Sequence, residues 1–301
     1  MRILLQFPEG LKKEALKYAK ELEKEGNEVF ISSNPSFGAC DLSIDEAKLI
    51  KADKLIHFGH AEFKKVNDFN VEYVPYFIDA DLSILEKSLD YLKDFNTIGL
   101  ITTIQHIKQL DSIKEFYEKH GKKVMIGKPY GLAKYNGQIL GCDVGSATSI
   151  DKEVDAIIYF GGGIFHPLGA LLQTKKPFIS IDPFSKDIKR LDEYRDIYRK
   201  KQLAKLANAS LANNFGILVS TKTFQYNMNL AKILKNLIEK HGKNAIIIIG
   251  NTFDFSSLDN FLEIDAFVNT ACPRIGIDDI ERSRKPILNP NELIEILKMK
   301  N

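Results

Sequence analysis

The sequence predicts an α/β fold of three parallel-sheet repeats arranged with pseudo-threefold symmetry, and three observations predict it. Short apolar runs alternate with amphipathic helical stretches along the 301 residues. The runs are rich in Ile and Val, as strands buried on both faces are. The chain also resembles itself at a fixed offset, the signature of internal repeats.

In chain order the strand-like runs are 2–7, 28–32, 54–58, 97–101, 123–126, 156–160, 178–181, 216–219, 245–249 and 266–269. Between the first two, Leu11, Ala15, Leu16, Ala19 and Leu22 fall on one side of a helix that stops at Gly26. An apolar stripe closed by a glycine is a common helix ending. The stretches 112–119 before Gly121 and 226–240 before Gly242 read the same way. Strand, helix and parallel strand in succession are α/β units with right-handed crossovers.

An offset of 102 residues superposes Cys40 on Cys142, Asp41 on Asp143, Asp53 on Asp155, Phe58 on Phe160, Gly59 on Gly161, Phe63 on Phe165 and Pro75 on Pro177. A looser third copy places 264–268 against 154–158, and Lys285-Pro286-Ile287 against Lys176-Pro177-Phe178. The expected domains are therefore 1–95 with Cys40, 96–213 with Cys142 and a long polar helical stretch from 186, and 214–301 with Cys272. Loops at the carboxyl ends of parallel strands are where such sheets bind ligands. Three units around one axis would point three such loops at one place.

Composition excludes several classes. Lys and Arg number 42 against 40 Asp and Glu, with no basic run apart from a helical pattern, so nucleic acid is not an expected partner. The apolar start of the chain is too short for a signal sequence. The uncharged stretch from Ala156 to Thr174 is broken by Gly161-Gly162-Gly163 and His166-Pro167, which excludes a membrane helix there. A cytoplasmic location is expected. An odd number of distant cysteines in such a compartment argues against a disulfide framework.

Cysteine is often just a small buried hydrophobe. Here Cys40, Cys142 and Cys272 each follow glycine or alanine in a loop, where backbone can approach a bulky ligand. Cys40 and Cys142 precede their repeat Asp by 13 residues, whereas Cys272 follows Asp265 by seven. The repeat alone does not place the third cysteine, but a shared need for three sulfurs would. Three thiolates suit zinc or an iron–sulfur cluster. A four-iron cluster with three protein ligands leaves one iron open to substrate.

The segments 37–42, 137–142 and 271–279, the last reading Ala-Cys-Pro-Arg-Ile-Gly-Ile-Asp-Asp, resemble the three cysteine motifs of the archaeal diphthamide synthases, the 2-(3-amino-3-carboxypropyl)histidine synthase family. The resemblance covers essentially the whole chain, which looks slightly short at its amino end. It implies three Rossmann-like domains, a homodimer, a 4Fe-4S cluster on Cys40, Cys142 and Cys272, and S-adenosylmethionine as co-substrate. The Cys-x-x-x-Cys-x-x-Cys loop of ordinary radical S-adenosylmethionine enzymes is absent, as it is in the family. The implied reaction is a transferase step in which the reduced cluster breaks the sulfonium–Cγ bond. The 3-amino-3-carboxypropyl group then passes to a histidine of translation elongation factor 2, leaving 5′-methylthioadenosine. A separate electron donor is implied. A sulfonium has three carbon–sulfur bonds, so orientation in the pocket selects the one that breaks.

Other residues have two readings each. Arg274 either binds the carboxylate of S-adenosylmethionine or braces its loop by pairing with Asp278 or Asp279. Gly161 and Gly162 allow backbone to approach the adenosine, and Gln225 either contacts the nucleoside or caps a helix. His57, His60, His106 and His166 lie near strand ends and read as satisfied structural histidines. Asp41 and Asp143 read as loop caps. Two rival functions are a quinolinate synthase, which similarly joins three α/β repeats to a three-cysteine cluster, and a non-enzymatic three-domain α/β binding module.

Overall fold

A computed structural model of the chain describes residues 1–278 and 282–298. It divides into two compact units, 1–193 and 194–301. The first unit carries two sheets and the second carries one.

The first sheet is built from β1 (Arg2–Gln6), α1 (Ala15–Lys24), β2 (Glu28–Ile31), α2 (Ile44–Leu49), β3 (Lys54–Phe58) and β4 (Val71–Val74). Next come α3 (Ile84–Ser88), β5 (Thr97–Thr102), α4 (Leu110–Lys119), β6 (Lys123–Met125), α5 (Gly145–Thr148), β7 (Ala156–Phe160), α6 (Phe165–Gln173), β8 (Phe178–Asp182) and β9 (Asp187–Arg190). Helix α7 (Asp192–Ser210) leads into the second unit, with β10 (Asn214–Ser220), α8 (Met228–Lys240), β11 (Asn244–Gly250), α9 (Phe255–Leu258), β12 (Ala266–Asn269), α10 (Ile275–Asp278), β13 (Ile287–Leu288) and α11 (Pro290–Lys298).

The strand orders are β2-β1-β3-β4, β6-β5-β7-β8-β9 and β11-β10-β12-β13. Every pairing is parallel except β8 with β9. The expected parallel α/β repeat is therefore present three times with one order of strands. Its central strands are buried on both faces, as the unbroken runs require: all five residues of β7 and six of the seven in β10 are buried.

The repeat has a physical basis in two devices. The glycines after α1, α4 and α8 are left-handed, with φ of +84° at Gly26, +75° at Gly121 and +70° at Gly242. At each, the next amide reaches back to the last helical turn, as Asn27 N–H does to Leu22 O, Lys122 to Tyr117 O and Lys243 to Ile238 O. This turn aims the chain directly into the second strand. The second device is the repeated aspartate. Asp155 Oδ2 accepts from the amides of Asn96 and Thr97 at 3.0 and 2.8 Å, and Asp265 Oδ2 from Asn213 and Asn214 at 2.9 and 2.8 Å. Asp53 does the same for Arg2 N–H at 2.7 Å. Each thus clamps the start of the third strand to the start of the first.

Two expectations need correction. Pro75 and Pro177 are not equivalent. The amides of Leu55 and Gly59 bond Asn70 O and Val74 O, whereas those of Ile157 and Gly161 bond Pro177 O and Ile181 O. The fourth strands are therefore offset by 107 residues rather than 102. The second repeat carries five more residues between its third and fourth strands, and the proline match is chance. The stretch from 186 also does not begin as a helix. Asp182 Oδ1 accepts from the amides of Phe184 and Ser185, Lys186 is left-handed at φ +56°, and the chain returns as the antiparallel β9. Helix begins only at Asp192.

Separate cores lie on the sheets. Ile3, Leu5, Ile56 and Phe58 pack with α1 on the first, where the Phe7 and Phe58 rings stack at 4.2 Å. Ile84, Leu85 and Leu92 join Leu100, Ile158 and Ile179 on the second. In the second unit, Leu206 and Ala209 of α7 join Ile217, Val268 and Ile296. Among the described residues no helix is long and apolar enough to cross a membrane.

The clamp gives a pH prediction. Backbone donors from residues 96, 97, 213 and 214 hold the Asp155 and Asp265 carboxyls below their ordinary value. Their contribution is complete above the unfolded value, about pH 4, and fades as pH falls through the lower folded value. Asp265→Asn is expected to lower the urea midpoint at neutral pH and to flatten its decline in acid, as measured by urea titrations at a series of pH values.

Candidate active site

In a parallel sheet all carboxyl ends of strands share one edge, and the three thiols stand on such edges. Cys40 lies between β2 and α2, and Cys142 between β6 and α5, each after the second strand of its repeat. Cys272 follows β12, the third strand of its sheet. The shifted spacing in the sequence thus moves the cysteine along the same edge, from the loop after the second strand to the loop after the third, with the first strand between them. None of the three is in a disulfide: Cys40 and Cys272 are half-buried and Cys142 is exposed. They are not pieces of the hydrophobic cores.

Each thiol is held by a different local device. Before Cys142, a Cβ on Gly141 would run into the Phe165 ring, so glycine lets the loop rest on that ring. Phe165 opens α6 directly after the glycine run, so Cys142 and the Gly161–Gly163 turn are neighbours. Asp143 caps the loop, its carboxylate accepting from Ala133 N–H at 2.8 Å, Gly145 N–H at 2.9 Å and Leu132 N–H. Asp41 serves Phe37 N–H at 3.3 Å. Both aspartates are loop caps, as read from the sequence. Gly161 ends β7 at φ +151°, its amide on Ile181 O, and a Cβ on Gly162 would stand 3.2 Å from Phe184.

In the second unit, Asn269 Nδ2 donates to Cys272 O at 2.8 Å and to Asn289 Oδ1 at 3.0 Å, while Asn289 Nδ2 donates to Pro273 O at 2.9 Å. Arg274 is 3% exposed and grips Asp278 with two bonds, Nε to Oδ2 at 2.7 Å and Nη2 to Oδ1 at 2.6 Å. Of its two readings, the geometry presents the brace; Asp279 lies outside the described residues. Lys205, also buried, donates to Gly276 O at 2.9 Å and pairs with Glu292 at 2.7 Å, and the Tyr198 hydroxyl donates to Ile277 O. Gln225 lies in the turn after β10, the strand beside β12, so it shares the Cys272 edge. It is not the helix cap, because Asn227 Oδ1 takes Leu230 N–H at 3.1 Å.

Sequence reasoning missed Asn269, Asn289, Lys205 and Glu292. A signal for two of them was present: Asn289-Pro290-Asn291-Glu292 is a helix-start pattern, and Glu292 Oε2 accepts Asn289 N–H at 2.7 Å. Nothing local marks Lys205, whose partner is 87 residues away.

Within either unit, among the described residues, no three His, Cys, Asp or Glu side chains are gathered as a metal site.

Two substitutions test this scaffold. Gly141→Ala is expected to expel Phe165 or the loop, lowering the melting temperature by several degrees and changing the rate at which Cys142 is alkylated. Lys205→Ala leaves Glu292 buried without its cation; denaturant titration is expected to show a loss of about 3 kcal/mol and faster alkylation of Cys272.

Comparison with known proteins agrees with the motifs. Residues 7–301 match the family model of diphthamide synthesis proteins. A 2-(3-amino-3-carboxypropyl)histidine synthase of Pyrococcus horikoshii is 39% identical over 98% of this chain and 85% of its own length. One from Methanocaldococcus jannaschii is 31% identical over 99% and 84%, and the human subunit 1 of that synthase is 29% identical over 97% and 67%. The crystal structure of Dph2 from P. horikoshii with a 4Fe-4S cluster superposes with a TM-score of 0.90 at 36% identity, covering 99% of this chain and 86% of that one.

Proposed function

Because this chain belongs to the diphthamide synthesis family, we propose that it is a 2-(3-amino-3-carboxypropyl)histidine synthase acting on translation elongation factor 2 with S-adenosylmethionine as donor. Family membership sets aside both the quinolinate synthase and the binding module. The product's name dictates the bond changes. A bond forms between imidazole C2 and the former methionine Cγ, the Cγ–sulfonium bond breaks, 5′-methylthioadenosine leaves, and the C2 hydrogen departs as a proton. The balance is redox-neutral, so the electron donor primes the reaction rather than being consumed by it.

The observation that carries the reading is the placement of the three thiols, outside the cores and on carboxyl-end loops. Cys40, Cys142 and Cys272 would hold a 4Fe-4S cluster; three soft sulfurs outside the hydrophobic cores fit such a group. When bound, it supplies an electron and one iron without a protein ligand. The chain's own part is to hold and orient. Asp143, Arg274, Lys205 and Asn289 stiffen the thiol loops, which limits how far the sulfurs stray from the required geometry. Gly161 and Gly162 on the second sheet, and Gln225 on the third, are the groups we set against S-adenosylmethionine. A homodimer is the proposed assembly, and the solvent-facing Ile246 and Ile249 of edge strand β11 offer it apolar surface to bury.

The test is anaerobic. Purified protein is expected to be brown with about four irons per chain, and with a reductant, S-adenosylmethionine and elongation factor 2 to release methylthioadenosine and add the group to one histidine. Cys272→Ala is expected to lose iron and activity together. Colourless protein, or release of 5′-deoxyadenosine alone, would sink the assignment.

A further inference from the structure

Beneath the Cys40 loop runs a hydrogen-bonded chain whose direction is dictated by its first member. Gln6, at the end of β1, is 1% exposed. Its Nε2 donates to Asp41 O at 2.8 Å and its Oε1 accepts from Ser43 N–H at 3.3 Å. A backbone carbonyl only accepts and a backbone amide only donates, so turning the side-chain amide over would lose both bonds. The same Oε1 stands 2.9 Å from His57 Nδ1, which must carry its proton to be bonded there. Burial, with His60 adding to it, pushes His57 down to about 3, so the ring is neutral and its Nε2 holds a lone pair. His60 Nδ1 lies 2.9 Å from that nitrogen and must donate to it. Burial also pushes His60 down to about 4, against the pull of the Phe58 carbonyl. A neutral ring with its proton on Nδ1 has an acceptor at Nε2.

His57 is fully buried and His60 is half-buried, so the chain of bonds opens outward at its far end. His60 follows β3, on the same edge of the first sheet as Cys40. Tyr73 packs against this chain of bonds, its ring edge-on to His57 at 5.7 Å. Burial, then Glu62 and Cys40, push its hydroxyl up to about 12.

We propose that His60 is a substrate-binding residue whose Nε2 accepts a hydrogen bond from an N–H donor of the bound reactants, and that Gln6, acting through His57, is the positioning residue that sets its tautomer. The inference rests on the reading of Cys40 as part of the active site. Two groups in the proposed reaction have this donor chemistry, the ammonium of S-adenosylmethionine and the N–H of the target imidazole. A carboxylate would be repelled by the lone pair.

In the iron-loaded full chain, His60→Phe is expected to raise KM about tenfold, the loss of one hydrogen bond to a charged or polar donor. A rise for S-adenosylmethionine identifies the ammonium, and a rise for elongation factor 2 the imidazole. His60→Gln, whose amide oxygen accepts, is expected to restore most of the affinity. Gln6→Glu sets a carboxylate against His57, favours protons on both of its nitrogens and reverses the chain. Nitrogen NMR of labelled histidines is then expected to show the His60 proton moving from Nδ1 to Nε2, with binding weakened as in His60→Phe. Unchanged KM for both reactants in an iron-replete His60→Phe enzyme, or a native His60 protonated at Nε2, overturns the inference. A native chain without iron or methylthioadenosine formation defeats the reading of Cys40 instead, and the two failures are separated by that baseline.

Discussion

Parallel strand pairing is the constraint on which the rest of this molecule depends. It forces each strand to return by a crossover, most of them helical, and the helices bury the faces of the sheet, which explains why the central strands read as unbroken apolar runs. It also gathers every outgoing loop of a sheet on one edge. Because of that, a cysteine after a second strand and a cysteine after a third strand are equally placed at a carboxyl edge. The displacement of Cys272 within its repeat therefore keeps it on the carboxyl edge, on the other side of the first strand, though it looks like a broken pattern in the sequence.

The three loops meet a common demand, holding a thiol without burying it, by different physical means. Steric exclusion does it at Cys142, where Gly141 lies against the Phe165 ring. Around Cys40 the buried amide of Gln6 anchors both Asp41 O and Ser43 N–H. At Cys272 two asparagines, the Arg274–Asp278 fork and the buried Lys205–Glu292 pair lock the backbone from four directions. Buried ion pairs add little net stability, but they impose one arrangement, because any other strands a charge away from water.

Much of this was legible in the chain. Ile/Val runs, helix-ending glycines and the recurring aspartate correspond to strands, left-handed turns and clamps, because each acts within its own repeat through backbone groups. The Pro75 match misled because proline sits well at many strand boundaries, so one coincidence survives an insertion of five residues. The antiparallel β9 was hidden by its short polar sequence, which reads as the start of the following helix. The braces of Cys272 were hidden for another reason. Lys205 and Glu292 are joined only by the fold, and a lysine in a polar helix looks solvent-exposed until the opposite wall is seen. Arg274 was legible as a fork donor, and its pairing with Asp278 required coordinates.

The clusters of buried side chains on the sheets are assembled from aliphatic and aromatic residues, and none of the three cysteines is among them. The packing that holds each sheet together is thus laid down apart from the loops that present the thiols, so those loops are free to be shaped by chemistry while the apolar interior is shaped by volume.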